Sequence, residues 1–135
     1  MKFVIFTITL VTLALAISCR FHSRSKGAFS KTCKNISLQG SVLTATCDSW
    51  KDKTKKAEIA TKVDLKDCLG NIDGKLTWKK VEFSKTSKNC KLDGVKLACE
   101  SQTTKGDYKP TYYDLDSTIS NIDGHLQCDK RRRRF

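Results

Sequence analysis

The four residues Asn71-Ile72-Asp73-Gly74 occur a second time, fifty positions later, as Asn121-Ile122-Asp123-Gly124. Asn and Asp beside Gly favour a tight turn, because their short side chains bond to nearby backbone and Gly accepts a positive φ. Each copy therefore predicts a turn that leads into a strand. The flanking residues also recur: Asp64-Leu65 and Leu76 around the first copy, Asp114-Leu115 and Leu126 around the second.

The repetition extends beyond this motif. The run Phe29-Ser30-Lys31-Thr32-Cys33-Lys34-Asn35 matches Phe83-Ser84-Lys85-Thr86-Ser87-Lys88-Asn89 at an offset of 54. An internal period near fifty residues decides the architecture, so we treat the chain as two tandem repeats. The offset has fallen to 50 at the Asp-Leu pairs, and we expect the missing four residues in a hairpin loop, where a change of length costs little.

Short strands account for the rest of each repeat. Val, Leu and Thr dominate the predicted strands, and no amphipathic stretch of ten residues occurs. The fold class is therefore predicted to be all-β, with single turns of 3₁₀ helix at 65–69 and 115–119. The predicted strands are 41–47 and 57–63 in the first repeat, and 95–101 and 108–113 in the second.

Residues 1–18 have the character of a secretory signal peptide. Lys2 precedes an apolar run from 3 to 17, and small residues at Ala14, Ala16 and Ser18 offer cleavage sites. The run is short for a membrane span, so we expect a secreted, extracellular protein with no membrane-spanning segment.

Cysteine usage agrees with secretion. Cys19 lies at the signal boundary, which leaves an even number in the body, and an extracellular domain of this size is commonly stapled by disulfides. We expect no bound metal or other cofactor, because no Cys-x-x-Cys occurs and His22 and His125 are far apart in the sequence. The six body cysteines are Cys33, Cys47, Cys68, Cys90, Cys99 and Cys128.

Residues that face each other in an antiparallel hairpin keep a nearly constant index sum. The pair Cys33 and Cys47 has the sum 80, and Cys90 and Cys99, mapped back by 54, has the sum 81. Both pairs could therefore staple equivalent hairpins, and Cys68 with Cys128 would remain to join the ends of the repeats. Six cysteines allow fifteen connectivities, so the other pairings stay open.

Together, these motifs resemble the cyanovirin-N homology (CVNH) family over residues 27–128, with repeat one at 27–78 and repeat two at 81–128. The resemblance implies two pseudo-symmetric halves, each a three-stranded antiparallel sheet plus a β-hairpin, built by exchange of segments between the repeats. It implies a lectin that binds α1,2-linked mannose on high-mannose glycans or glycoproteins, without metal or catalysis. It also implies a monomer or a dimer that exchanges halves.

The resemblance places two carbohydrate sites on the chain. The first consists of Lys31, Thr32, Asp48, Trp50, Asn121 and Asp123. The second consists of Asn71, Asp73, Glu82, Lys85, Thr86 and Thr103, and it departs further from the family pattern, at Gly70, Val81, Glu82, Lys85 and Thr104. The Asn and Asp residues of both sites equally suit a structural role in the turn. Trp50 could stack on a sugar if its loop is exposed.

Two further features lie outside these sites. Asn35-Ile36-Ser37 is a sequon for N-glycosylation at Asn35. Residues 129–135 form a basic tail with Arg131 to Arg134, and the formal charge of the chain is +12.

These charges support one alternative function, in which the sugar sites have decayed and the basic surface and tail bind a protein or a polyanion. A secreted chain rarely meets nucleic acid, so no nucleic-acid partner is expected. An enzyme is not expected, because no paired carboxylates or Ser-His-Asp group can be identified.

Overall fold

The computed structural model of the chain describes residues 27–52, 54–78 and 81–129, and the side chains of 51 and 52 lie outside that description. The predicted signal peptide, Cys19 and tail residues 130–135 also fall outside the described residues. No helix among the described residues is long and apolar enough to cross a bilayer.

The fold is all-β, as the sequence predicts, and the described residues form ten strands and single 3₁₀ turns. Two three-stranded antiparallel sheets alternate along the chain with two two-stranded hairpins, and the strands of each are consecutive in the sequence. The 3₁₀ turns are Phe29–Lys31, Leu65–Asp67, Phe83–Lys85 and Leu115–Ser117. The strands are β1 (Cys33–Gln39), β2 (Val42–Asp52), β3 (Lys55–Asp64), β4 (Leu69–Ile72), β5 (Lys75–Trp78), β6 (Ser87–Asp93), β7 (Lys96–Gln102), β8 (Tyr108–Asp114), β9 (Ile119–Ile122) and β10 (His125–Cys128).

The duplicated motif forms the two short hairpins. Asp73 and Gly74 make the turn with φ of 49° and 81°, and Asp123 and Gly124 make it with 52° and 88°. Positive φ at both central residues is the geometry of the type I′ hairpin, for which Asp-Gly is a preferred pair. The Asn and Ile of each motif lie in the preceding strand, and the turn consists of Asp-Gly alone.

Each hairpin packs on the three-stranded sheet of the other repeat. Leu126 N in β10 donates to Thr61 Oγ1 in β3 at 3.0 Å, and Leu76 N in β5 donates to Thr111 Oγ1 in β8 at 3.1 Å. The approach is close enough that a Cβ on Gly124 would lie 2.7 Å from Ile59 Cδ1. One half therefore combines β1-β2-β3 with β9-β10, and the other combines β6-β7-β8 with β4-β5.

The four extra residues of the first repeat lengthen strands, and the prediction that they lie in a loop is wrong. Strands β2 and β3 have 11 and 10 residues, whereas β7 and β8 have seven each. Only residues 53 and 54 separate β2 from β3, but 103–107 separate β7 from β8. When added residues extend an antiparallel pair of strands, their backbone N–H and C=O groups can hydrogen-bond to the partner strand. In a longer loop, the same groups would hydrogen-bond to water. The longer hairpin carries Ser49 and Trp50 to the tip of the first half.

The core is also built from matched residues. Phe29 and Phe83, at an offset of 54, are buried, as are Leu65 and Leu115, at an offset of 50. Burial of such side chains stabilises the fold by roughly 1.5–3 kcal/mol each. Trp78 is half-buried and packs against this core.

Among the described residues, disulfides join the two pairs that the index sums favour, Cys33 with Cys47 and Cys90 with Cys99, and the remaining pair, Cys68 with Cys128. The register of β1 against β2 shifts between Lys34 and Ser37, and that of β6 against β7 shifts between Lys88 and Lys91. These matched bulges contain the two bulge asparagines, Asn35 and Asn89, at φ of 53° and 51°.

Candidate functional site

Asn121 is the centre of the first predicted site. Its Nδ2 donates to Thr32 Oγ1 at 3.0 Å and to the Asp48 carbonyl oxygen at 2.9 Å. Its Oδ1 accepts from Gly124 N at 2.8 Å, which fixes the turn that follows. The side chain therefore holds the β9-β10 hairpin against the sheet of the other repeat, while Thr32 remains exposed at the surface.

Asp123 fastens the tip of the long β2 strand. Its Oδ1 accepts from Ser49 Oγ at 2.9 Å and from Trp50 N at 3.0 Å. Ser49 is buried, and we did not predict its role from the sequence. Its alignment with Thr103, at the offset of 54, was the signal that could have identified it.

A mixed aromatic and charged rim borders the first site. The Trp50 side chain is 58% exposed, but Trp50 lies in strand β2 and the prediction that it lies in a loop is wrong. Lys56 Nζ lies 2.9 Å from Asp48 Oδ2 and 6.0 Å from the centroid of the Trp50 ring. Lys56 is a site residue that the sequence did not indicate, because strand pairing alone brings it beside Asp48. Lys31 is exposed in the adjoining 3₁₀ turn.

The second site repeats the central arrangement. Asn71 Nδ2 donates to the Gln102 carbonyl oxygen at 2.8 Å and to Thr86 Oγ1 at 3.0 Å. These contacts match those of Asn121 with Asp48 and Thr32. Unlike its counterpart, the buried Oδ1 of Asn71 has no hydrogen-bond partner among the described residues.

Asp73 holds the adjacent loop of the second site. Its Oδ1 accepts from Thr104 N at 2.9 Å and from Thr104 Oγ1 at 3.1 Å. The pKa of Asp73 is lowered from 3.8, chiefly by the backbone N–H of Thr104 and next by its hydroxyl. The carboxylate is therefore charged at neutral pH and already engaged with the protein.

The other predicted residues of the second site include an ion pair, between Glu82 and Lys85, and a buried side chain, that of Thr103. Lys85 Nζ lies 3.2 Å from Glu82 Oε2. Thr103 is 8% exposed, and a Cβ on Gly74 would lie 2.9 Å from its Cγ2, so this side chain supports the turn and has little surface open to a ligand. The structure thus brings the six predicted residues of each half together, and in both halves most of their polar groups already have partners within the protein.

The chemistry of both sites is that of hydrogen bonding. Carboxylates, amides, hydroxyls and backbone groups converge, and such sets suit the vicinal hydroxyls of a sugar. Within the described ranges, no group of three or more His, Cys, Asp or Glu side chains is placed to hold a metal ion. His125 is exposed at the start of β10.

Comparison with known proteins agrees with this geometry. The CVNH domain family matches residues 29–127. A cyanovirin-N homolog from Tuber borchii is 33% identical over 70 residues, which are 50% of this chain and 68% of that protein.

Solved structures show the same fold. Microvirin, solved as a complex with mannobiose, is 33% identical with a TM-score of 0.64, over 75% of this chain and 97% of microvirin. GzCVNH from Gibberella zeae is 28% identical with a TM-score of 0.66, over 74% of this chain and 95% of its own. The duplicated turn motif, the exchanged hairpins and these matches agree, and the chain belongs to the CVNH family.

Proposed function

We propose that this protein is a secreted, non-catalytic lectin that binds mannose-rich glycans ending in α1,2-linked mannose, chiefly at the first site. The observation that carries the proposal is the convergence of Thr32, Asp48, Asn121 and Asp123 in one exposed corner of the fold. The similarity to microvirin, which was solved as a complex with mannobiose, supports the choice of mannose as the sugar.

The energetics favour several weak contacts acting together. Each hydrogen bond to a sugar hydroxyl contributes about 0.5–1.5 kcal/mol net of water, so a site needs several partners to bind at all. The first site adds the exposed face of Trp50, on which the apolar side of a pyranose can stack. In the second site, the Glu82–Lys85 ion pair occupies two of the six predicted side chains, which is why we assign it the weaker binding.

Secretion is part of the proposal. The predicted leader at 1–18 is its sequence basis. Three disulfides in a small domain suit an oxidising compartment. Expression with the native leader in a eukaryotic host should deliver the chain to the medium with the leader removed, and retention of an uncleaved chain in the cells would contradict this part.

A glycan array tests the binding function against its rival. The rival, polyanion binding, draws on the formal charge of +12 and the Arg-rich tail. Binding that requires terminal mannose and survives deletion of residues 130–135 supports the lectin. Binding that disappears with the tail and weakens steeply with salt supports the rival.

A further inference from the structure

The outer face of β8 carries an exposed aromatic strip, which we define as Tyr108, Pro110 and Tyr112. Tyr108 is 44% exposed and Tyr112 is 63% exposed, and Pro110 between them is exposed as well. Thr111 is buried on the opposite side of the strand. The alternation therefore places all three side chains of the strip on one solvent-facing surface.

The fold itself does not require this strip. At the offset of 50, the positions that match Tyr108, Pro110 and Tyr112 in β3 are Glu58, Ala60 and Lys62. Those three residues are also exposed, on a sheet of the same topology. A contiguous exposed apolar surface on a folded domain commonly marks a binding site, whereas isolated exposed apolar residues need no explanation.

The strip begins at the second site. Tyr108 pairs with Gln102 across the β7-β8 ladder, and the Gln102 carbonyl oxygen accepts from Asn71 Nδ2 at 2.8 Å. The loop between them is closed by Thr103 N donating to the Asp107 carbonyl oxygen at 2.7 Å. At about 3.3 Å per residue, the strip extends about 13 Å along the strand from Tyr108 to Tyr112.

Polar side chains border the strip and restrain one ring. Lys88 Nζ lies 4.0 Å from the centroid of the Tyr108 ring, a cation–π contact that orders the ring before any ligand arrives. Asn89 Nδ2 donates to Glu100 Oε2 at 2.7 Å, and Glu100 pairs with Pro110 in the ladder. Rings flanked by hydrogen-bonding groups suit a saccharide, which has apolar C–H faces and hydroxyls around its edge.

We propose that the strip is an extended subsite that binds the inner sugars of a mannose-rich glycan whose terminal mannose lies at the second site. This inference rests on the proposed lectin function. The subsite would make the second site selective for long glycans. Polar groups of the second site are partly bonded to other protein groups, and the strip supplies additional contact area for the inner sugars.

A residue-resolved NMR titration of the ¹⁵N-labelled full chain separates this subsite from the rest. We expect an N-glycan with nine mannoses to shift the amide signals of both Thr104 and Tyr112. We expect α1,2-mannobiose to shift Thr104 and leave Tyr112 unchanged. If the nine-mannose glycan shifts Thr104 but not Tyr112, the subsite is overturned and the lectin function is still supported. Shifts confined to the first site have the same meaning.

Substitutions give the quantitative test. Tyr108→Thr with Tyr112→Thr keeps strand-forming residues and should weaken nine-mannose binding at the second site roughly tenfold, with mannobiose binding unchanged. Tyr108→Phe with Tyr112→Phe should retain the affinity. The matched control is Glu58→Thr with Lys62→Thr on the other sheet, which should change nothing. Equal affinity in the Thr and Phe variants overturns the proposal, whereas absence of any shift with either sugar overturns the lectin function itself.

Discussion

The Asn121 amide donates to Thr32 Oγ1 at 3.0 Å, and this contact joins residues 89 positions apart. Its counterpart joins Asn71 Nδ2 to Thr86 Oγ1, also at 3.0 Å. In both halves, a polar side chain of the proposed sugar site also fastens a hairpin of one repeat to the sheet of the other. The architecture depends on the same two asparagines as the proposed binding.

We predict that Asn121→Ala and Asn71→Ala each destabilise the fold by similar amounts. Each variant removes three side-chain hydrogen bonds in a half-buried setting, so the free energy of unfolding should fall by roughly 1–3 kcal/mol. Urea denaturation measures it. Unchanged stability in both variants would show that these amides do not hold the halves together.

The disulfide that joins the repeats should contribute most to stability. Cys68 and Cys128 are 60 residues apart, against 14 for Cys33 and Cys47 and 9 for the remaining pair. Chain-entropy arguments give about 4 kcal/mol for the long loop and about 3 kcal/mol for the short ones.

The test is denaturation of variants in which one pair at a time is changed to Ser, after peptide mapping of the unmodified protein. The pair Cys68→Ser with Cys128→Ser should give the lowest denaturation midpoint. Recovery of a peptide linking Cys33 to Cys99 would contradict the pairing.

Stability should fall in acid partly through Asp73. Because hydrogen bonds from Thr104 lower its folded pKa below 3.8, the contribution of Asp73 is complete above 3.8 and is lost as the pH falls through the folded value. Asp73→Asn does not titrate and should remove this part of the pH dependence. Thermal melts of the unmodified protein and of Asp73→Asn, from neutral pH to below 3.8, measure the difference between their Tm values. This difference should shrink in acid, and a difference in Tm that is independent of pH would refute the assignment.

Asn35 should carry an N-glycan when the chain passes through a eukaryotic secretory pathway. It is exposed in a positive-φ bulge and lines an open groove with Thr44, Thr46 and Ala60. Asn89 occupies the matching bulge but has Lys91 where a sequon needs Ser or Thr, so it is a matched control. Endoglycosidase treatment should reduce the mass of the secreted protein and of Asn89→Gln, but not of Asn35→Gln. An identical mass before and after treatment would contradict occupancy.

Much of the fold could be predicted because its signals are local or periodic. The Asp-Gly pairs predict the two turns, and the index sums favour the two hairpin bridges, which leaves Cys68 and Cys128 for the third. The family resemblance supplied the six residues of each site, and the structure brings them together.

Other features depend on pairing across the chain, which no local pattern specifies. The extension of β2 to Asp52 follows from continued pairing with β3, and it moves Trp50 to the rim of the first site. Lys56 reaches Asp48 only through that same pairing. Ser49 contacts Asp123 across 74 positions, so this hydrogen bond forms only when the hairpin of the other repeat is in place.

The central claim is that the corner formed by Thr32, Asp48, Asn121 and Asp123 binds mannose. The most direct test is calorimetric titration of α1,2-mannobiose into three proteins. These are the unmodified protein, the double variant Asn121→Ala with Asp123→Ala, and the double variant Asn71→Ala with Asp73→Ala. The last two variants lose equivalent structural contacts, so a difference between them reports the site. We predict that the Asn121 and Asp123 variant loses mannobiose binding while the Asn71 and Asp73 variant keeps most of it; equal affinity in the two variants, or no heat with the unmodified protein, would contradict the account.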